Sequence, residues 1–308
     1  MPEIVISEFM DEAAVASLRA DFDVHYDQDL VDRPEALRAQ AGAARALIVR
    51  NRTRVDADLL AAMPRLEVVG RLGVGLDNIE LGACAARRVE VIPATGANAR
   101  AVAEYVVCTA MMLLRGAYLS LPEMVAGNWP RPALSQGREL AGKTLGLVGF
   151  GGIGRLTARL AGALGVETLA CDPHYEPPPG DSEPEVPLLE LDDLLARADV
   201  VSLHLPLTGE TRGLFSRARL AAMKPGAVLI NTARGGIVDE AALVEALRDG
   251  HLGGAALDVF EHEPLPAGSV LTNAPNLILT PHIGGVTRES NVRVSGLIAE
   301  RVANFLKG

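Results

Sequence analysis

Four residues able to bind anions or move protons follow short apolar segments in the second half of the chain. They are Arg234 after VLINTA, Asp258 at the end of GGAALD, Glu263 in VFEHEP and His282 after LILTP. An arginine can hold a carboxylate through two parallel hydrogen bonds. An imidazole can take or give a hydroxyl proton, and a carboxylate beside it fixes its tautomer and favours its charged form. Together these groups suit hydride transfer between a nicotinamide and a 2-hydroxy or 2-oxo acid.

Each of the four residues also has a simpler interpretation. The arginine could lie on the surface, the aspartate could form a turn, the glutamate could be solvated, and the histidine could be held by a loop neighbour. The segment EHE at 261–263 could hold a metal, but its spacing matches neither HExxH nor another standard ligand pattern. No metal is therefore expected.

A glycine-rich turn precedes these residues. Gly149-x-Gly151-x-x-Gly154 comes directly after the apolar segment KTLGLVGF and directly before the amphipathic segment IGRLTARLAGAL. In a dinucleotide-binding turn the first glycine allows the tight bend, the second lets the backbone approach a pyrophosphate, and the third lets helix and strand pack closely. The following helix offers unpaired N–H groups to the phosphates. A glycine-rich turn without a ligand and a methyltransferase-type nucleoside site are the alternatives.

The next apolar segment indicates which dinucleotide would bind. VETLACD ends in Asp172, 18 residues after Gly154, close to the spacing of about 20 expected for a ribose-binding acid. A carboxylate there binds the adenine-ribose hydroxyls and repels a 2′-phosphate. The residues that follow are Pro173, His174 and Tyr175, with no arginine to bind such a phosphate. NAD is therefore expected rather than NADP.

Alternating apolar and helix-length segments must position these residues. In the first third of the chain the predicted strands are EIVISEF, ARALIVR, LEVVGRL and VEVIPA, with a polar, helix-like stretch after the first. From Lys143 the alternation restarts, with predicted strands KTLGLVGF, VETLACD, DVVSLHLPL, AVLINTA, GGAALDVF and NLILTP. Such short Val/Ile/Leu runs are typical of parallel sheets covered on both faces. The predicted fold class is α/β with two doubly wound parallel sheets, and ligands are expected outside the carboxyl ends of the strands.

The intervening segments predict helices and one long loop. Helices are expected in SRARLAAMK, in DEAALVEALRDG with Asp239 as its N-cap, and in the terminal segment, which would return to pack on the first unit. YEPPPGDSEPEVP is expected to be a proline-rich surface loop. The long helix expected at 101–118 carries Val, Met, Leu and Tyr around much of its circumference, so it needs burial on more than one side.

Length, charge and cysteine content limit the class of protein. A chain of 308 residues with 49% hydrophobic and 22% charged residues predicts two globular domains. The net charge of −10 argues against binding to nucleic acid or to anionic membranes. We find neither a signal-peptide pattern nor an apolar stretch of the ~20 residues that a membrane span needs. Three dispersed cysteines argue against a disulfide framework and a zinc site, so a cytoplasmic location is expected.

Arginines cluster in the segment IVRNRTRV. Arg50, Arg52 and Arg54 alternate after an apolar run, so an extended chain would place them on one face, where Arg71 could join them. A basic cluster in an acidic protein would suit a second anion, phosphate or sulfonate, on a three-carbon acid. The backbone N–H groups of LGVG (Leu72, Gly73, Val74 and Gly75) could hold the substrate carboxylate. A solvated basic edge is the alternative.

Five motifs in order resemble the D-isomer-specific 2-hydroxyacid dehydrogenases, with the phosphoglycerate dehydrogenases most similar. They are GLVGFGGIGRLTARLAGALG, VSLHLPLT, LINTARGGIVDEAALVEAL, GAALDVFEHEPL and TPHIGGVT. The resemblance implies that Arg234 binds the substrate, that His282 is the acid/base and that Glu263 is its partner. It implies an NAD site formed by Gly149, Gly151, Gly152, Ile153, Gly154, Asp172, His204, Pro206, Thr232, Ala233, Asp258 and Gly284, with Asp258 on the nicotinamide carboxamide. It implies a substrate site formed by Arg50, Asn51, Arg52, Leu72, Gly73, Val74, Gly75 and Asn98.

The same resemblance implies a domain organisation and a substrate class. A Rossmann-type cofactor domain, residues 98–281, would be inserted into a flavodoxin-like substrate domain, residues 1–97 and 282–308, and the chain would form a homodimer through its cofactor domains. VRNRTRV and GRLGVGLDN resemble sulfolactate dehydrogenases, which favours 3-sulfolactate over 3-phosphoglycerate. Because the chain ends at Gly308, serine feedback through a C-terminal regulatory domain is not expected. The alternatives are a dehydrogenase for a monoanionic acid (glyoxylate, hydroxypyruvate or lactate type) and a corepressor-like protein that senses NAD(H).

Overall fold

The computed structural model of the chain describes residues 2–177 and 186–308, which form two compact units. Unit 1 consists of Met1–Asn98 and Val286–Gly308, and unit 2 of Ala99–Gly285. The proline-rich segment 175–187, predicted to be a surface loop, has its central part, 178–185, outside the described residues.

The described strands are numbered in chain order. They are β1 (Ile4–Ile6), β2 (Val24–Tyr26), β3 (Ala46–Val49), β4 (Val68–Arg71), β5 (Glu90–Pro93), β6 (Thr144–Val148), β7 (Glu167–Cys171), β8 (Val200–Leu203), β9 (Val228–Asn231), β10 (Gly254–Leu257) and β11 (Leu277–Leu279).

The described α-helices are numbered in the same way, and 3₁₀ helices lie at Leu30–Asp32 and Ala117–Ser120. They are α1 (Glu12–Arg19), α2 (Pro34–Ala41), α3 (Ala57–Ala62), α4 (Leu81–Ala86), α5 (Ala99–Arg115), α6 (Leu121–Val125), α7 (Arg131–Leu134), α8 (Gly152–Gly162), α9 (Leu191–Arg197), α10 (Arg217–Ala222), α11 (Glu240–Arg248) and α12 (Arg288–Lys307).

Unit 1 is built on a five-stranded parallel sheet of order β2-β1-β3-β4-β5. This is the flavodoxin-like order, in which the strand order reverses beside the first strand. Successive side chains of a strand point to opposite faces, so Ile4 and Ile6 join one apolar core and Val5 joins the other. Both faces of the sheet are therefore buried, as the continuous apolar runs predict.

The C-terminal helix α12 completes unit 1, as its sequence predicts. Thr287 caps the helix through a capping box with Ser290. Val294, Ile298 and Val302 are buried in the core on one face of the sheet. The helix packs so closely on β4 that a Cβ atom at Gly70 would lie 2.8 Å from the Ile298 side chain.

Unit 2 is built on a six-stranded parallel sheet of order β11-β10-β9-β8-β6-β7. An isolated parallel β-bridge between Ala170 and Leu188 places one more segment of the chain beside β7. Counting this bridged segment, the order contains the Rossmann arrangement of two strands on one side of β6 and three on the other, and β11 extends it by one strand at the far edge. The prediction of two parallel α/β sheets is confirmed.

Helix α5 opens unit 2 and packs one face against α8, β9 and β10. The core of unit 2 buries one face of the helix, with Val102, Val106, Ala110 and Leu113, whereas Met111 is 48% exposed.

Among the described residues, no single helix is long and apolar enough to span a bilayer. The helices Ala99–Arg115 and Ala117–Val125 meet that test only when taken together, and this pair is bent by 56°.

The structure differs from the predictions in several elements. The segment after β1 was predicted to be helix-like throughout, but it contains the edge strand β2. Helix α9 was not predicted. Strand β3 ends at Val49, so the expectation that Arg50, Arg52 and Arg54 continue it in an extended conformation is wrong; residues 51–53 form a bend. The chain was predicted to return to the substrate domain at residue 282, whereas unit 1 resumes at Val286. Ile283 and Gly284 belong to unit 2, because their N–H groups donate hydrogen bonds to the Asp258 carboxylate.

Candidate active site

An imidazole and a carboxylate form a hydrogen-bonded pair in unit 2. His282 follows β11 and Glu263 follows β10, and Nδ1 of His282 lies 2.8 Å from Oε2 of Glu263. The side chains are 42% and 36% exposed, so the pair is open to a ligand. Because an ionised carboxylate only accepts hydrogen bonds, Nδ1 carries the proton of this bond. The Nε2 atom of His282 is then the ring nitrogen available for proton exchange with a substrate.

Glu263 is oriented by the backbone of its own loop. Its other carboxylate oxygen, Oε1, accepts a hydrogen bond of 3.1 Å from the Phe260 N–H. One oxygen is thus held by the main chain while the other contacts the imidazole. The hydrogen bond from the main chain keeps the Glu263 carboxylate directed at His282, where its charge can stabilise a protonated imidazole.

Asp258 lies at the end of β10 and is buried. Its Oδ1 accepts hydrogen bonds from the Ile283 N–H (2.8 Å) and the Thr280 hydroxyl (2.6 Å), and its Oδ2 accepts one from the Gly284 N–H (2.7 Å). In the structure this carboxylate therefore braces the loop that carries His282. Its contact with the nicotinamide carboxamide stays a prediction.

Arg234 lies in a turn after β9 that a buried asparagine shapes. Asn231 donates from Nδ2 to the Arg234 carbonyl (2.9 Å) and accepts from the Ala233 N–H (3.0 Å). The next residue, Gly235, packs against the loop after β10, where a Cβ atom would lie 1.7 Å from the Phe260 carbonyl oxygen. A glycine is therefore required for the two loops to approach. The Arg234 guanidinium donates to the Ala233 carbonyl at 2.6 Å.

The glycine-rich turn follows β6 and leads into α8. Gly149 has φ +96°, and a Cβ atom there would lie 2.5 Å from the His204 carbonyl oxygen. A Cβ atom at Gly154 would lie 2.5 Å from the Gly149 carbonyl oxygen. The fold itself requires these two glycines. Gly151 differs, because a Cβ atom there would have open space around it, with no neighbouring atom of the described residues within 4 Å.

Asp172 joins the end of β7 to the glycine-rich turn. Its Oδ2 accepts a hydrogen bond of 2.8 Å from the Phe150 N–H, and its Oδ1 accepts one of 3.0 Å from the His174 N–H. Both carboxylate oxygens keep capacity for a further donor. The acid is therefore fixed beside the turn, where a ribose can bind it.

These residues fit a dinucleotide. The Gly152 and Ile153 N–H groups at the start of α8 have no acceptor among the described residues, and open space lies at Gly151 and Gly152. The Oγ1 atom of Thr232 is buried and has no hydrogen-bond partner among the described residues, as expected of a group that binds a ligand.

The other predicted cofactor residues lie at the same edge of the sheet, because all strands of unit 2 are parallel. Each follows the carboxyl end of a strand: His204 and Pro206 follow β8, Thr232 and Ala233 follow β9, and Gly284 follows β11. Burial lowers the pKa of His204 to about 4, so its ring, which contacts the Ser202 hydroxyl at 3.0 Å, is neutral at physiological pH.

In unit 1 the arginine segment wraps around a buried carboxylate. Glu8, which is 4% exposed, accepts hydrogen bonds from four successive backbone N–H groups. These come from Arg50 (2.8 Å), Asn51 (3.3 Å), Arg52 (3.1 Å) and Thr53 (2.9 Å). Asn78 holds the same segment from Nδ2 through the Arg50 and Thr53 carbonyl groups. We call residues 50–53 the arginine loop.

The arginine side chains of this loop have different partners. Arg50 donates to Oδ1 of Asn291 at 2.8 Å and lies over the Phe9 ring. Burial lowers the pKa of Arg50, against the opposing effect of Glu8, although an arginine remains charged. Arg52 is exposed and pairs with Asp32, which raises its pKa. Arg54 is exposed, and Arg71 packs over Gly73.

Only part of the predicted LGVG site offers donors. The Leu72 N–H donates to the Val49 carbonyl and the Gly73 N–H to the Arg71 carbonyl, each at 2.8 Å. The Val74 and Gly75 N–H groups have no acceptor within the part of the chain that the structure describes. Also in unit 1, Asn98 Oδ1 is buried and has no hydrogen-bond partner within residues 2–177 and 186–308. These groups can bind a ligand.

Several residues that support the candidate groups of each unit were not predicted. Glu8 and Asn231 follow or end apolar strands, so inspecting all strand ends of the chain would have found them. Thr280 and its partner Tyr105 carry no signal in the sequence, since they are 175 residues apart.

No metal was expected from the sequence. Residues 2–177 and 186–308 contain no group of three or more His, Cys, Asp or Glu arranged to hold one.

Comparison with known proteins assigns the chain to a family. Residues 107–284 match the D-isomer specific 2-hydroxyacid dehydrogenase family in its NAD binding domain. The chain is similar to the (S)-sulfolactate dehydrogenase of Chromohalobacter salexigens, with 56% identity over 307 residues that cover 99% of each chain. It is also similar to the D-3-phosphoglycerate dehydrogenase of Mycobacterium bovis, with 42% identity over 314 residues that cover 100% of this chain and 57% of that protein.

The chain thus spans little more than half the length of that phosphoglycerate dehydrogenase. A crystal structure of a Thermus thermophilus protein superposes with a TM-score of 0.88 at 38% identity, covering 99% of this chain and 97% of the other. Family, fold and site geometry agree: the chain belongs to the D-isomer-specific 2-hydroxyacid dehydrogenases and is an NAD-dependent enzyme of that family.

Proposed function

We propose that this enzyme acts on a three-carbon 2-hydroxy or 2-oxo acid that carries a second anion, with 3-sulfolactate as the first candidate and 3-phosphoglycerate as the second. The observation that carries the proposal is the arginine loop, whose backbone is fixed on buried Glu8. The names of two similar enzymes, a sulfolactate dehydrogenase and a phosphoglycerate dehydrogenase, support the same substrate class.

The residues of unit 2 carry out the proton transfer. Bound NADH supplies the hydride that reduces C2 of a 2-oxo acid. His282 donates a proton from Nε2 to the C2 oxygen, so that the C=O π bond is replaced by one C–H and one O–H bond. Glu263 holds Nδ1–H and stabilises the imidazolium before the transfer. In the direction of oxidation, neutral His282 takes the hydroxyl proton. Arg234 binds a substrate carboxylate.

The groups of unit 1 provide selectivity for the second anion. The backbone N–H groups of the arginine loop already bind Glu8, so only its side chains can bind an external anion. Arg52 is exposed and its partner Asp32 is also exposed. A surface ion pair of this kind contributes little to stability, so a substrate phosphate or sulfonate can compete for the guanidinium. The Val74 and Gly75 N–H groups offer further donors.

Substitution of the arginine loop tests the substrate class. We expect Arg52→Ala or Arg50→Ala to remove most of the preference for sulfopyruvate over pyruvate in kcat/KM, and to spare slow reduction of pyruvate. Arg65→Ala, which removes an exposed arginine elsewhere in unit 1, is the matched control. If Arg50→Ala, Arg52→Ala and Arg65→Ala all keep the wild-type preference, the loop is a solvated basic edge and a monoanionic substrate is favoured instead.

We also infer a homodimer formed through the exposed apolar surface of unit 2. Leu121, Val125 and Trp129 are 67%, 79% and 72% exposed, and Met111 on α5 is 48% exposed. Large apolar side chains exposed in one unit are typical of an interface, and a second copy of the chain would cover them. Light scattering at micromolar concentration should give twice the chain mass of 32.4 kDa, and Val125→Asp with Trp129→Ser should give the single mass. A wild-type monomer would contradict the inference.

A cytoplasmic location is part of the same proposal. Cys84, Cys108 and Cys171 form no disulfide, and free thiols persist in reducing compartments. Fractionation of cells that produce the chain with its native termini should recover the activity in the cytosolic fraction. Recovery from the membrane or secreted fraction would overturn the location.

A further inference from the structure

A chain of hydrogen bonds runs from helix α5 to the loop that carries His282. The Tyr105 hydroxyl lies 2.6 Å from Oγ1 of Thr280, and Thr280 Oγ1 lies 2.6 Å from Oδ1 of Asp258. A carboxylate can only accept, so the single hydroxyl proton of Thr280 must go to Asp258. Tyr105 must then donate to Thr280. The two bonds therefore have one fixed direction, from α5 towards the buried carboxylate.

The buried carboxylate holds the loop on both sides of His282. Asp258 binds Thr280 before the histidine and the Ile283 and Gly284 N–H groups after it. His282 itself has φ +56°, the left-handed region that is unfavourable for a residue other than glycine. Such a conformation persists only where its surroundings impose it. The hydrogen bonds of Asp258 are the contacts that flank it.

We propose that Tyr105 and Thr280 are positioning residues for the dehydrogenase reaction, acting through Asp258 to hold His282 against Glu263. Neither side chain needs to touch substrate or cofactor in this role. Loss of either hydroxyl loosens the loop, so the distance between the imidazole and Glu263 fluctuates more widely. The proposal rests on hydride transfer with His282 as acid/base and is independent of which 2-oxo acid is the natural substrate.

The surrounding charges determine the direction of the expected pH effect. Glu263 contacts the imidazole, Asp258 binds the loop backbone, and Arg234 follows β9, which lies on the far side of β10 from β11. Burial raises the pKa of Tyr105, which keeps its hydroxyl protonated as a donor. A looser contact with Glu263 favours imidazolium less. Because 2-oxo acid reduction needs that proton, the pH at which reduction falls to half its maximum should decrease.

The experiment compares Tyr105→Phe with Tyr118→Phe. Tyr118 makes a hydrogen bond of similar length to Asn276 Oδ1, before the start of β11 and away from His282. We expect Tyr105→Phe to lower kcat for 2-oxo acid reduction about threefold to tenfold, the value of one net hydrogen bond, and to shift the half-maximal pH downward. NADH binding, measured by fluorescence, should stay within twofold, and Tyr118→Phe should leave kcat and the pH profile unchanged.

Substitution of Thr280 completes the test. Thr280→Val should lower kcat at least as much as Tyr105→Phe, and Thr280→Ser should restore it, because serine keeps the hydroxyl. The double variant Tyr105→Phe with Thr280→Val should be no slower than Thr280→Val alone, since the two act in one chain. Equal kcat and identical pH profiles for Tyr105→Phe and Tyr118→Phe would overturn the proposal, as would additive effects in the double variant. A fall in thermal stability without a shift of the pH profile would also overturn it.

Discussion

Nδ1 of His282 lies 2.8 Å from Oε2 of Glu263, although the two residues are 19 positions apart and follow different strands. Adjacent parallel strands β10 and β11 bring their carboxyl ends together, and the two loops then meet. Glu263 is held by the Phe260 N–H and His282 by the loop bound to Asp258. The acid/base pair is thus fixed by backbone contacts before any substrate binds.

Removal of the imidazole should slow the proton transfer strongly without affecting cofactor binding. We expect His282→Ala to lower kcat by roughly 10²–10⁴-fold, the usual cost of losing a general acid/base. NADH affinity should be unchanged, because the glycine-rich turn and Asp172 follow other strands, β6 and β7. His262→Ala, which removes an exposed histidine next to Glu263, is the control. Equal losses in both variants would show that His282 is not the acid/base.

Neutralisation of the partner carboxylate should change the pH dependence. Glu263→Gln keeps the shape but removes the charge that stabilises the imidazolium. The proton required for 2-oxo acid reduction is then lost at lower pH, so the optimum for reduction should move downward. For oxidation, which needs neutral His282, activity should extend to lower pH. A pH–rate profile for each direction makes the test, and a wild-type profile in Glu263→Gln would exclude the pairing.

Cofactor choice should depend on Asp172. Its carboxylate is fixed by the Phe150 and His174 N–H groups, and it would repel a 2′-phosphate. We expect kcat/KM to be at least ~10²-fold higher with NADH than with NADPH, since two like charges in contact in a partly buried site cost several kcal/mol. Asp172→Asn should reduce this ratio; its amide oxygen can accept from only one of the two backbone N–H groups. Equal use of the two cofactors by the wild-type enzyme would refute the assignment.

Two glycines of the turn should respond differently to alanine. A Cβ atom at Gly151 would lie in open space as far as the described residues extend, so Gly151→Ala should keep its thermal stability but bind NADH about tenfold or more weakly, equivalent to about 1.4 kcal/mol. At Gly154 a Cβ atom would lie 2.5 Å from a backbone oxygen, so Gly154→Ala should lose about 1–3 kcal/mol of stability. Thermal unfolding with and without NADH separates the two effects. Similar behaviour of both variants would contradict the assignment of this turn to the dinucleotide.

Glu8 should support substrate selectivity through the backbone. Glu8→Gln replaces one acceptor oxygen by a donor group, which leaves N–H groups of the arginine loop unpaired at about 1–3 kcal/mol each. We expect KM for a dianionic substrate to rise, with little change in kcat/KM for pyruvate. Glu12→Gln, at an exposed acid in the first turn of α1, is the control. An unchanged KM in a folded Glu8→Gln variant would show that Glu8 is only structural.

Much of the fold and of the unit 2 site follows from simple sequence rules. Apolar runs predict the parallel strands, and the polar residues just after them include Arg234, Asp258, Glu263 and His282, because ligands bind at the carboxyl ends of such strands. The edge strand β2 was missed because its three residues, VHY, are only partly buried and show no long apolar run.

The arginine loop shows why other features could not be predicted. Local alternation predicted an extended segment, but the buried Glu8 carboxylate, more than 40 residues earlier in the chain, collects its N–H groups and bends it. In the same way, Tyr105 reaches Thr280 only through the packed fold of unit 2. Contacts between distant side chains leave no periodic pattern in a single sequence.

The ratio of kcat/KM for sulfopyruvate to that for pyruvate, measured with NADH and the wild-type enzyme, tests the central claim most directly. We expect a ratio of at least ~10², equivalent to about 2.7 kcal/mol of additional transition-state binding. The same ratio with 3-phosphohydroxypyruvate as the dianionic substrate ranks the two candidate acids. A ratio near or below one for both dianions, with rapid turnover of pyruvate or glyoxylate, would contradict the assignment of a dianionic substrate.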